Sequence, residues 1–225
     1  EEYIKATMER CAAEDYGSNC LKNAARDFYG KFPLENILSI FDKHEKDSAF
    51  FENCHETAHY LGREAYKRVK DIPQIYAEAT RTCLGGVLHG AVEGYLIEKK
   101  IKLNDFKAIA EELPVICGQP DQYKVKQKYT ECHHGLGHAV MFFTDNDLIN
   151  GLSLCDELEK DSQRELCYTG ALTANFDSIG SKDHPSKYYD ENNPMYPCNI
   201  LDERYSRQCY TYGVLVLHQY EVENA

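Results

Sequence analysis

The chain has 225 residues and a formal net charge of −12, with 37 acidic against 25 basic side chains. A chain of this length can bury a sizeable core, and its acidic balance argues against nucleic acid or an anionic membrane as the main partner. The sequence contains no apolar run near the ~18 residues that a membrane span requires, so we expect no transmembrane helix.

Apolar residues recur at helical spacing along most of the chain, and strand-like alternation is nearly absent. The predicted helices cover residues 1–15, 33–45, 48–66, 73–81, 85–98, 106–115, 167–176 and 203–220. We therefore expect an all-α fold of about six disulfide-stapled antiparallel helix hairpins, forming an α-solenoid or a partial α/α toroid. The hairpins would make up one α-helical repeat domain over 1–225, with a long irregular loop at 177–197.

Ten cysteines fall into five neighbouring pairs along the chain, and none of them forms a Cys-x-x-Cys motif. An even number of cysteines at such spacings is typical of a disulfide framework, which forms in oxidising compartments. We therefore expect a secreted protein on the extracellular or periplasmic side, in a mature or trimmed form that starts at Glu1. The predicted disulfides join Cys11 to Cys20, Cys54 to Cys83, Cys117 to Cys132, Cys155 to Cys167 and Cys198 to Cys209.

The second cysteine of several pairs begins a similar short run, in which a glycine or a histidine recurs at a fixed distance. Such recurrence indicates structural repeats, and glycines on a helix face let a second helix approach closely. Both Cys54 and Cys83 are predicted on inner helices, so this disulfide would fasten one repeat to the next.

Residues 55–59 read His-Glu-Thr-Ala-His on a predicted helix. Histidines four residues apart share a helix face and can bind one metal ion, and the motif resembles that of the zincin metallopeptidases. The resemblance implies that Glu56 is a general base. It extends to Gly62, as in metzincins, and then departs from that family, because Ala65 occupies the next ligand position.

Two further pairs of candidate ligands have the same four-residue spacing, namely His89 with Glu93 and His134 with His138. His89 and His138 also share a register, because each lies six residues after a cysteine. The Cys54–Cys83 disulfide would bring the first two helices together, and the shared register would bring the third to the same side. Imidazole with carboxylate suits zinc, copper or iron. The predicted transition-metal ligands are His55, His59, His89, Glu93, His134 and His138.

A second resemblance is to lanthionine cyclase-like α-toroids, which bind zinc through cysteine and histidine. The similar stretches here are Cys132-His-His-Gly, Cys167-Tyr-Thr-Gly and Gly86-Val-Leu-His-Gly. A zinc site of that kind implies that Cys132 and Cys167 are free thiolates, which conflicts with the predicted disulfides.

Three functional hypotheses follow. In the first, the interior histidine site holds a metal and can be catalytic, as a hydrolase or an oxidoreductase, with Glu56 or Glu93 as the proton acceptor. In the second, the protein is a non-catalytic scaffold or a subunit of an extracellular assembly that binds a protein partner through its repeat surface. In the third, the protein is a zinc hydrolase of the His-Glu-x-x-His type.

Overall fold

A computed structural model describes residues 1–13, 18–179, 185–193 and 195–223. Over these ranges the chain forms eleven α-helices and no β-strand, which confirms the predicted all-α class. No helix in these ranges is long and apolar enough to cross a bilayer. The helices are α1 (Glu2–Ala13), α2 (Ser18–Lys31), α3 (Leu34–His44), α4 (Ser48–Val69), α5 (Ile72–Glu78), α6 (Gly86–Glu98), α7 (Phe106–Ile116), α8 (Lys126–Phe143), α9 (Leu148–Cys155), α10 (Asp161–Asp177) and α11 (Glu203–Glu223).

Local sequence signals account for several helix ends. Asp71 caps α5 by accepting a hydrogen bond from the backbone N–H of Gln74, and Pro73 occupies the first turn, where no N–H is needed. Lys70 ends α4 in the left-handed conformation, at φ 54°. Helices α2, α8 and α9 lie outside the ranges predicted from sequence, and α10 extends the predicted range 167–176 back to Asp161.

All ten cysteines are paired, so the predicted disulfide framework is confirmed. Closing a loop of 9 to 29 residues stabilises the folded chain by about 3 kcal/mol per bridge in the chain-entropy model. The bridges join Cys11 to Cys20, Cys54 to Cys83, Cys117 to Cys132, Cys155 to Cys167 and Cys198 to Cys209.

The bridges nearest the two ends of the chain each fasten a long helix. Cys20 lies on α2, which the sequence did not predict as a helix, and its bridge ties α2 to α1. Cys209 is fully buried on α11, and its bridge ties that helix to Cys198 in the irregular stretch before it.

One implication of the cyclase resemblance is wrong. Cys132 and Cys167 are both held in disulfides, so neither is a thiolate that could bind zinc. The similar Cys-His-His-Gly and Cys-Tyr-Thr-Gly runs instead place glycines on helices α8 and α10.

The chain divides into two compact units. Unit 1 comprises residues 1–100 and 116–132, and unit 2 comprises residues 101–115 and 133–225. The single repeat domain, the six hairpins and the solenoid or toroid arrangement stay predictions. The long irregular loop at 177–197 also stays a prediction; of the described residues near it, 178–179, 185–193 and 195–202 form no helix.

In unit 1, α4 packs along α6, and α1, α2, α3 and α5 surround this pair. The aromatic core is a chain of edge-to-face rings, in which Phe28 contacts Phe41 and Phe41 contacts Phe50, with centroids 6.4 and 5.5 Å apart. The two long helices approach closely at Gly62 and Gly90. A methyl group on either glycine would overlap the backbone of the other helix.

In unit 2, α10 packs against α9 and α11. Asp156, at the end of α9, accepts hydrogen bonds from the hydroxyls of Tyr168 on α10 and Tyr205 on α11, and from Arg204 at 3.0 Å. One carboxylate thus ties three helices together. Helices α8 and α10 cross at two glycines, Gly137 and Gly170.

Candidate metal centre in unit 1

The close crossing of α4 and α6 brings three histidine side chains together. His55 and His59 lie one turn apart on α4, and His89 lies on α6. Each offers a ring nitrogen, and these nitrogens lie within 4.8 Å of one another. The ring centroids are 4.6 Å apart for His55 and His59, and 5.4 Å apart for His59 and His89. The sequence-based expectation that these three residues share one neighbourhood is therefore confirmed.

Small residues on α6 make this proximity possible. A Cβ on Gly86 would lie 2.6 Å from the carbonyl oxygen of His55, and one on Gly90 would overlap the backbone of His59. Real Cβ atoms do not approach other atoms so closely. The backbone of the two α4 histidines therefore rests directly on α6, and their rings extend beside the crossing.

A strained turn orients the first histidine. The Nδ1 atom of His55 lies 2.8 Å from the carbonyl oxygen of Cys83. Cys83, Leu84 and Gly85 have successive φ values of 54°, 55° and 78°, an uncommon run for non-glycine residues. The Cys54–Cys83 disulfide ties this turn to the residue before His55. Since a carbonyl can only accept, Nδ1 of His55 carries the hydrogen.

A buried carboxylate orients the second histidine. Glu93 is 1% exposed, and its Oε1 lies 2.9 Å from Nδ1 of His59. Its other oxygen accepts a hydrogen bond from Nε of Arg63 at 2.7 Å. Burial alone would raise the pKa of Glu93, but Arg63 and His59 together hold that pKa well below its usual value. The ionised carboxylate accepts, so Nδ1 of His59 also carries a hydrogen.

The two α4 rings therefore face each other through their remaining nitrogens. The Nε2 atoms of His55 and His59 lie 3.1 Å apart. In neutral rings with hydrogen on Nδ1, both Nε2 atoms carry lone pairs, and two acceptors at this distance repel. Burial, with the neighbouring His59, lowers the pKa of His55 to about 4, so this ring is neutral at pH 7. A proton shared between the two Nε2 atoms, or a metal ion bound to both, removes this repulsion.

The predicted general bases have other contacts. Glu56 accepts a hydrogen bond from the hydroxyl of Tyr60, one turn along α4, at 3.1 Å. Glu93, predicted as a ligand or a base, has one oxygen on His59 and the other on Arg63. This geometry favours a carboxylate that orients a ligand over one that binds the metal itself.

His134 and His138 lie on the part of α8 that belongs to unit 2. Their Nε2 atoms are 3.2 Å apart, and Nδ1 of His134 lies 3.1 Å from the hydroxyl of Thr169. That hydroxyl donates to the carbonyl of Leu166, so it accepts from His134. One proton on Nε2 of His138 makes this pair an ordinary N–H···N hydrogen bond. Their membership of the metal site stays a prediction.

No protein-family model, curated protein or solved structure matches this chain.

Two residues of the site have roles that the sequence reasoning missed. Arg63 lies four residues after His59, a spacing that places both on one face of α4, and this was the available signal. Gly62 was interpreted as part of a metzincin motif. In the structure it is a contact point of the helix crossing, where α6 leaves no space for a side chain.

Proposed function

We propose that this protein binds a transition-metal ion through the imidazoles of His55, His59 and His89 in unit 1. The observation that carries the proposal is the facing pair of Nε2 atoms, each on a ring whose other nitrogen donates to a fixed acceptor. Two lone pairs directed at one point are what a metal ion requires, and they are unfavourable unless a proton or a metal ion lies between them.

The distance between the two nitrogens supports this proposal. Two nitrogens bound to zinc at 2.0–2.1 Å in a tetrahedral site are separated by about 3.3 Å. The observed separation of 3.1 Å is close to that value. A metal ion can therefore bind both rings with only a small movement of the side chains.

The surroundings of the rings also fit a metal centre. Histidine ligands in metalloproteins usually donate their second N–H to a carboxylate or a backbone carbonyl, which fixes the tautomer and the ring orientation. Cys83 supplies the carbonyl for His55, and Glu93 supplies the carboxylate for His59. Imidazole donors suit zinc, copper or iron, and all ten cysteines are held in disulfides, so thiolate ligation plays no part.

We propose His138 as the fourth ligand, on the sequence register alone. His138 and His89 each follow a disulfide-bonded cysteine by six residues. A fourth imidazole would close a tetrahedral ion, as in structural sites, whereas water in that position would leave the site open for catalysis with Glu56 as base. The five disulfides support placing this function in an oxidising compartment, outside the cytoplasm.

Elemental analysis of protein purified without chelator or an affinity metal tests the proposal. We expect about one zinc, copper or iron per chain, and loss of that ion in His55→Ala and His59→Ala. His44→Ala is the matched control, since His44 contacts Glu1 and Asp47 instead. Each variant is first checked for a native circular dichroism spectrum and for all five disulfides.

Metal titrations of the same variants decide the fourth position. Loss of affinity in His138→Ala supports the closed site, and unchanged affinity supports water as the fourth ligand. Protein that contains no metal, and that binds none of the three ions on titration, contradicts the proposal and favours the non-catalytic scaffold.

A further inference from the structure

A pocket lies on unit 1 between α2, α4 and α6. Its volume is about 220 Å³, which is small for a ligand pocket and suits a molecule of modest size. Tyr60 and Arg63 of α4 line it, with Gly94 and Ile97 of α6. Gly94 packs against the α4 backbone, with Cα of Arg63 only 3.1 Å from where its Cβ would be, so the pocket floor is held by the helix pair.

The pocket carries a surplus of positive charge in an otherwise acidic chain. Lys22 of α2 and Lys67 of α4 line it together with Arg63. Its two carboxylates, Glu64 and Glu98, are each paired with a cation that does not line the pocket, and Arg63 is likewise paired with Glu93, so Lys22 and Lys67 supply the surplus charge. The first two pairs are Glu64 with Arg26 at 3.3 Å and Glu98 with Lys70 at 2.9 Å.

Arg63 combines two roles at this pocket. Its Nε donates to Glu93, and its guanidinium lies over the ring of Tyr60, 4.9 Å from the centroid. The side chain is 22% exposed. Because Glu93 already binds its Nε, Arg63 adds positive charge to the pocket, and the lysines supply the donors for a carboxylate.

The pocket also offers apolar surface. Ile97 is 44% exposed although it is a large aliphatic residue, and the ring of Tyr60 lies among the lining groups. Cationic groups beside exposed apolar surface match a ligand that has an anionic end and a short apolar body.

We propose that this pocket binds a small organic carboxylate, with the carboxylate on the Arg63, Lys67 and Lys22 side and the apolar body against Ile97 and Tyr60. The site is separate from the proposed metal centre, and its binding does not require a metal. Because Arg63 also holds Glu93, and Glu93 orients His59, we expect the carboxylate and a bound metal to alter each other's affinity by the same factor.

The experiment is an NMR titration of ¹⁵N-labelled protein with benzoate, acetate and inorganic phosphate, in metal-free and metal-loaded samples. We expect benzoate to bind saturably in the millimolar range, as is usual for ligands of this size, with shifts centred on the amides of Gly94 and Ile97. Acetate and phosphate should bind more weakly, because neither has an apolar body.

Two variants separate the contributions. Lys22→Met with Lys67→Met should weaken benzoate binding about tenfold, whereas Lys46→Met, an exposed lysine outside the pocket, should leave it unchanged. Ile97→Ser should weaken benzoate and leave acetate unchanged. The proposal is overturned if benzoate produces no localised shifts, if phosphate binds as well as benzoate, or if Lys46→Met has the effect of the paired variant. The titration of the metal-free sample tests the carboxylate pocket even if the protein proves to bind no metal.

Discussion

The two units contain the same helix crossing with different side chains around it. In unit 1 a methyl group on Gly62 would meet Val87, Gly90 and Ala91, and in unit 2 one on Gly137 would meet the corresponding backbone atoms of α10. Each crossing uses the run His-x-Leu-Gly on its first helix, at residues 59–62 and 134–137, with the leucine fully buried.

The difference lies in what supports the histidine. In unit 1, Nδ1 of His59 contacts the buried carboxylate of Glu93, whereas in unit 2, Nδ1 of His134 contacts the hydroxyl of Thr169. By position relative to the paired glycines, His89 corresponds to Thr169 and Arg63 corresponds to His138. A shared backbone frame therefore positions a histidine in both units, and the residues around it determine whether that histidine has the surroundings of a metal ligand.

The largest expected effect comes from adding a methyl group at the point where the two helices of each unit cross. Gly90→Ala and Gly170→Ala should each lower the free energy of unfolding by about 3 kcal/mol or more, because the new methyl group overlaps the backbone of His59 or His134. Chemical denaturation measures both. Gly30→Ala is the control: its nearest neighbour would be 3.9 Å away, so we expect a gain of up to about 1 kcal/mol. If alanine leaves the free energy of unfolding unchanged at one crossing but not at the other, the two helix crossings are not equivalent.

The second effect concerns the residue that accepts the Nδ1 hydrogen bond of each histidine, which is Glu93 for His59 and Thr169 for His134. Glu93→Gln should weaken metal binding about 10- to 100-fold, since the carboxylate fixes the His59 tautomer and raises its basicity. Thr169→Val makes the matched change in unit 2 and should leave the affinity nearly unchanged. Competition against a chromophoric chelator gives both values. An equal loss in the two variants would place His134 among the ligands and would break the distinction between the units.

The smallest effect is a pH dependence of the metal-free protein. The folded pKa values of His55 and Glu93 both lie below their ordinary values of 6.5 and 4.5. The unfolded chain therefore binds protons first as the pH falls. The contribution of His55 is present above pH 6.5 and is lost towards pH 4, and that of Glu93 is lost below pH 4.5.

The slope for one proton is at most about 1.4 kcal/mol per pH unit. Denaturation at a series of pH values should show the upper part of this loss disappearing in His55→Gln and the lower part in Glu93→Gln. A profile that both variants leave unchanged would mean that these groups titrate alike in the folded and unfolded chains.

Local patterns were enough to predict much of this structure. The cysteine pairs are mostly close in sequence, so spacing alone identified the five disulfides. The four-residue spacing of His55 and His59 fixed their common helix face, and the Cys54–Cys83 bridge indicated that His89 lies near them.

Contacts between helices were harder to predict. The prediction of Glu93 as a ligand or a base stays a prediction. Its contacts with His59 and Arg63 could not be predicted, because they depend on how closely α4 and α6 approach. Helical periodicity assigns a residue to a face and does not give the distance to the next helix. The role of Gly62 was missed for the same reason, since the closeness of a crossing depends on both helices together.

Cys83 has a consequence for the order in which the protein matures. Its sulfur bridges to Cys54, and its carbonyl aligns the ring of His55. In a newly made chain the cysteines are thiols, and thiolates compete strongly with imidazoles for zinc and copper. An ion that arrives before oxidation would be captured by sulfur. Under the proposed function, loading of the histidine centre would therefore follow disulfide formation.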